Sequence, residues 1–143
     1  MSKRIYISPN WAFHDDSGQA LNPQLFTLLS GIKQTGKLTK AAALSNISYR
    51  HGWNLLDQAR KFFDSQVVYL EKGRGATLSP LGEKLLWAEQ RVAARLKPQM
   101  ENLASELNIE IHKEIAELSP ILRLHASHGY AVALLPDFAL GFQ

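Results

Sequence analysis

Residues 38–56 read LTKAAALSNISYRHGWNLL, and residues 67–82 read VVYLEKGRGATLSPLG. In the first stretch Thr39 is the N-cap candidate for a short alanine-rich helix ending near Leu44, because its side-chain oxygen can accept one of the backbone N–H bonds that a helix start leaves over. Ser45 and Asn46 compete for backbone hydrogen bonds and favour a break. Ser48 then caps a further helix running to about Phe63. Its apolar positions Trp53, Leu55, Leu56, Ala59, Phe62 and Phe63 leave Tyr49, Arg50, Asn54, Asp57 and Lys61 elsewhere on its surface. Trp53 is expected to pack rather than stack on a base, and Gly52 to leave room for close approach to the preceding helix. In the second stretch β-branched and apolar Val67–Leu70, a glycine turn with Lys72 and Arg74, and Ala76–Leu78 predict a hairpin with a basic tip.

Outward from this centre, Asn22 caps a helix with Pro23 in its first turn, Leu25, Phe26, Leu28, Leu29 and Ile32 form its apolar face, and Gly36 stops it. Lys3–Phe13 alternates loosely about a Ser8-Pro9-Asn10 turn, with Asp15-Asp16-Ser17-Gly18 as a second turn, and is expected to form another short hairpin. After the basic hairpin, Ser79-Pro80 opens the longest helical pattern. Leu81, Leu85, Ala88, Val92, Leu96, Met100, Leu103 and Leu107 recur at three- or four-residue steps, a seam suited to a second helix and hence to a homodimer. Pro98 removes one ladder bond and predicts a bend. The fold class expected is mainly α with small β-hairpins, a winged helix-turn-helix followed by a long dimerisation helix.

The chain has 143 residues, 45% apolar and 20% charged, which suits a globular domain and excludes a disordered or collagen-like chain. It has no cysteine, so disulfides, a thiolate nucleophile and Cys-ligated zinc are excluded. No stretch approaches the roughly 18 apolar residues of a membrane helix, and a cytoplasmic protein without membrane contact is expected. Residues 1–100 hold 14 Lys/Arg against 7 Asp/Glu, a net of +7, whereas residues 101–143 hold 2 against 6, a net of −4. A basic first part is the electrostatic footprint of a polyanion binder. No nucleophile elbow and no phosphate-cradling loop occurs; His14-Asp15-Asp16 reads as a turn, and His125 and His128 fall on a strand-to-loop stretch where i, i+3 side chains diverge. No enzyme, cofactor or metal site is expected.

Two short helices joined by a tight turn, followed by a basic hairpin, have the layout of a helix-turn-helix with a wing. The start of the second helix then meets base edges, and the wing meets phosphates or the minor groove. On this layout the contacts to double-stranded DNA fall to Thr39, Lys40, Ser48, Tyr49, Arg50, His51, Asn54, Lys72 and Arg74. Arg50 suits a bidentate contact to guanine; Lys40, Lys72 and Arg74 suit phosphates. The alternative is a winged-helix protein–protein interaction module without DNA readout, since solvated cationic faces and apolar helix stripes also serve protein docking.

Residues 38–56 with 73–82 resemble the winged helix-turn-helix of the molybdate-responsive ModE-type regulators, close relatives of the LysR-type DNA-binding domain. The resemblance extends over about residues 4–107 and implies a dimeric transcription regulator, paired through Leu81, Leu85, Val92, Leu96, Met100, Leu103 and Leu107. Residues 121–138, ILRLHASHGYAVALLPDF, resemble the first strand, loop and helix of a periplasmic-binding-protein-like effector domain. By that resemblance Ser127 and His128 would hold an oxyanion or other small-molecule effector in the full-length protein. The expected division is 1–79 for DNA binding, 80–112 for the dimerisation helix, and 113–143 for the start of a truncated effector domain.

Overall fold

The structure, a computed structural model, describes residues 3–118; Ser127, His128 and the strand and helix expected over 121–138 lie outside the described residues. Among the described residues four helices and one hairpin follow one another: α1 (Gln24–Thr35), α2 (Leu38–Leu44), α3 (Tyr49–Phe63), β1 (Val68–Glu71), β2 (Gly75–Leu78) and α4 (Pro80–Leu118). The described residues group into two units, 11–94 and 3–10 with 95–118, so the division falls within α4.

In the first unit the apolar face of α1 provides the centre of the core. Leu25, Leu28, Leu29 and Ile32 are buried together with Leu38, Ala41 and Ala42 of α2 and Leu55, Leu56 and Ala59 of α3. The two short helices meet closely because Gly31 has no side chain: a Cβ there would lie 3.0 Å from both Cα and Cβ of Ala41. Gly36 ends α1 in the left-handed conformation, φ 74°, with its N–H donating to the Ile32 carbonyl. Its own carbonyl accepts from Ala76 N–H at 2.8 Å, which ties the hairpin to the corner between α1 and α2.

The hairpin is antiparallel, with Val68 opposite Leu78 and Glu71 opposite Gly75. Val67, Val68 and Ala76 turn into the core. Ser79 locks the end of the hairpin to the start of α4: its buried hydroxyl donates to the Gln66 carbonyl at 2.8 Å and accepts from Gly82 N–H at 3.0 Å. Gly82 cannot carry a side chain here, because a Cβ would collide with the Val67 carbonyl oxygen. Leu86 is buried, and Leu81 and Leu85 are partly buried against the same core. The first turns of the apolar stripe on α4 thus cover this chain's own interior.

Two sequence expectations are corrected here. Residues 3–13 form no strand, and the hairpin expected there reduces to a single bridge between His14 and Ala20 about the Asp15–Gly18 turn. The Asp15 carboxylate saturates that turn, accepting from Ser17 N–H, the Ser17 hydroxyl and Gln19 N–H, while in the second unit Ile5 N–H donates to His112 Nε2 at 3.0 Å instead of to a neighbouring strand. Thr39 does not cap α2; the helix begins at Leu38, after an extended Lys37, with no side-chain cap. Helix α4 runs through Pro98 to Leu118.

Candidate nucleic-acid interface

Ser48 is extended, with φ −71° and ψ 158°, and its hydroxyl accepts from His51 N–H at 3.0 Å, the N-cap expected from sequence. A left-handed Asn46, φ 58°, reverses the chain between α2 and α3. The cap and turn set the first turn of α3 at the surface, with Ser48, Tyr49 and Arg50 all exposed.

Helix α3 buries Gly52, Leu55, Leu56 and Ala59. At roughly 100° per residue the opposite face is centred on Arg50, Asn54, Asp57 and Lys61, all four of which are exposed. Tyr49 and Trp53 form a second row beside it. Trp53 is 45% exposed, which corrects the expectation that it packs in the core, and its ring meets that of Tyr49 edge-on with centroids 6.4 Å apart. On the other flank His51 is held by the side chain of Gln24, 2.7 Å from Nε2, which orients the ring toward the start of α1.

The outer face also carries an acid. Asp57 pairs with Arg60 at 3.1 Å and with Lys61 at 3.2 Å. Hydrogen bonds from Lys61 and then Arg60 hold its carboxyl below the usual aspartate range. Two of the three Arg and Lys side chains of α3 therefore share a carboxylate, and among the described residues Arg50 alone of the three is in no ion pair. The sequence signal for the pairing is the Asp57, Arg60, Lys61 spacing at i, i+3 and i, i+4.

Lys72 and Arg74 sit in the hairpin turn, both exposed, with Gly73 at φ 79° and Gly75 at φ 92°. Arg74 lies 4.0 Å from Glu71, at the limit of an ion pair in open solvent. Thr39 and Lys40 are exposed on α2, as is Lys37 just before it. The structure thus places Thr39, Lys40, Ser48, Tyr49, Arg50, Asn54, Lys72 and Arg74 at the surface of one unit and engages His51 in an internal hydrogen bond. Of the stripe on α4, Leu81 and Leu85 are partly buried and Val92 is half-buried, whereas Leu96, Met100, Leu103 and Leu107 are 37–54% exposed.

Among the described residues no three His, Asp or Glu side chains are grouped to hold a metal ion, and no helix is long and apolar enough to cross a membrane.

The chain is similar to two curated proteins named for molybdenum. It is 27% identical over 119 residues to the molybdenum-pterin-binding protein MopB of Rhodobacter capsulatus, a match covering 80% of this chain and 43% of that protein. It is 32% identical over 75 residues to the molybdenum transport protein ModE of Herbaspirillum seropedicae, covering 48% of this chain and 28% of that protein. Both likenesses support the ModE-like resemblance. The chain spans less than half the length of either relative. No family model matches it.

Proposed function

We propose that this chain is a sequence-specific DNA-binding transcriptional regulator rather than an enzyme, with α2, the turn and α3 as a helix-turn-helix and the β1–β2 hairpin as its wing. The observation that carries this reading is the capped start of α3, which presents Arg50 and Asn54 in one exposed row directly opposite the buried face. Side chains of this kind at the start of a recognition helix suit guanine and adenine edges. Lys40, Lys72 and Arg74 supply phosphate contacts, which position the helix but do not specify sequence. The exposed leucines of α4 pair two copies, so that two recognition helices address two half-sites. The molybdenum-named relatives favour an oxyanion or other small-molecule effector, and a cytoplasmic location is part of the same proposal.

Arg50→Ala is the direct test. A lost bidentate contact removes about 1–3 kcal/mol of discrimination at particular base pairs. Equal losses on specific and random duplexes would make Arg50 a phosphate contact and refute the assigned role. A second reading, protein docking through the same face, is favoured by the exposed rings of Tyr49 and Trp53. Salt separates the two: DNA binding through several phosphates follows a log–log slope near −0.9 per contact, roughly, and protein docking does not.

A further inference from the structure

Most of the outer surface of α3 is polar, yet two of its exposed side chains are large rings. Tyr49 occupies the first helical position and Trp53 the position one turn later, 49% and 45% exposed, with their rings at 76° to each other. Neither is needed for the core, whose share of α3 is Gly52, Leu55, Leu56 and Ala59. The polar pair Arg50 and Asn54 runs alongside at the same four-residue step. Apolar side chains gathered in water mark a contact surface, and here the surface is continuous with a hydrogen-bonding one.

In the major groove the base edges offer hydrogen-bonding groups on every pair, but one apolar group only, the C5 methyl of thymine. An aromatic row beside an Arg/Asn row matches a groove in which thymine methyls lie next to purine edges. Given the DNA-binding function proposed above, we infer that Tyr49 and Trp53 are specificity residues that pack on thymine methyl groups. The preferred sites therefore carry thymine adjoining the purines addressed by Arg50 and Asn54. The ring faces do this by excluding water from the methyl; the indole N–H and the phenol O–H are not required.

The test uses the full chain. Preferred duplexes are enriched from a random pool, and the best is remade with deoxyuridine for thymine at one position at a time, which deletes the methyl and keeps every hydrogen-bonding group. Wild type is expected to lose about fourfold in affinity at each contacted thymine, the value of burying roughly one methyl-sized group. Trp53→Ala or Tyr49→Ala abolishes that sensitivity at its own thymine, and Trp53→Phe, which has a ring but no indole N–H, retains it. Both side chains are exposed, and melting temperatures verify that the variants fold. A uracil penalty of the same size in wild type and both alanine variants would overturn the inference, as would a preferred duplex with no uracil-sensitive position. Wild type showing no sequence preference on any duplex would overturn the DNA-binding function itself.

Discussion

The same substitution at two buried helix glycines should have opposite effects. At Gly31 a methyl group would stand 3.0 Å from Ala41 Cα, 3.0 Å from its Cβ and 3.3 Å from its carbonyl oxygen, so α1 and α2 must separate. Two of those atoms are backbone, with no rotamer through which to yield. Overpacking of this kind costs about 1–3 kcal/mol, and the gain of about 1 kcal/mol from replacing a helix-interior glycine offsets only part of it. At Gly52 the same methyl would meet the Leu38 Cδ1 at 3.4 Å, Ala42 Cβ at 3.7 Å and Leu28 Cδ1 at 3.8 Å, ordinary contact distances to side-chain methyls. The propensity gain then stands almost undiminished. Gly31→Ala is expected to lower stability by up to about 2 kcal/mol and Gly52→Ala to raise it by up to about 1 kcal/mol. Urea titration followed by circular dichroism resolves both, with unchanged m-values showing that stability alone has moved. Shifts of the same sign would refute the contrast between a helix contact without space and one with space to spare.

Ser79→Ala leaves the Gln66 carbonyl and Gly82 N–H without their buried partner and should cost about 1–3 kcal/mol in a thermal or urea melt; a neutral result would show that the hydroxyl does not lock hairpin to helix. Lys72→Ala with Arg74→Ala should weaken every duplex and reduce the salt slope by up to about two units, an unchanged slope removing the wing from the interface. Asp57 has a folded-state pKa below the ordinary value, so its contribution to stability is present above the unfolded value and disappears as pH falls through the folded one. Wild type and Asp57→Asn should therefore differ in stability near neutrality and converge at acid pH; a gap that persists at low pH would assign the difference to something other than the carboxylate's charge. Leu96→Glu with Leu103→Glu, both at exposed positions of α4, should give a folded monomer in sedimentation velocity at micromolar concentration. A wild type that sediments as a monomer, or a double variant that remains dimeric, would exclude this helix as the dimer interface.

Local chemistry along the chain determined α1, the α2–turn–α3 segment, the basic hairpin and the start of α4. Each depends on signals a few residues apart: Ser48 with the N–H of His51, Gly36 beyond Ile32, glycines around Lys72 and Arg74, and apolar spacing matched to the helix period. Those signals also located the exposed Ser48, Tyr49, Arg50 and Asn54 and the two cations of the hairpin turn. Contacts between elements decided the rest. Trp53 belongs to the apolar set of α3 by composition, but α1 and α2 cover the flank that contains Gly52, Leu55, Leu56 and Ala59, and the indole is left at the surface. Spacing in one helix defines its apolar flank only to within a turn's width, and the position of its neighbours settles which edge is buried. Leu81 and Leu85 are drawn onto the core because Ser79 and Gly82 press the start of α4 against the hairpin, whereas Leu96, Met100, Leu103 and Leu107 continue the same periodicity in the open. The alternating residues near Ile5 and Ile7 lack a partner strand, since a strand is stabilised by backbone bonds across the chain and not along it, and Ile5 N–H bonds to the distant His112 instead.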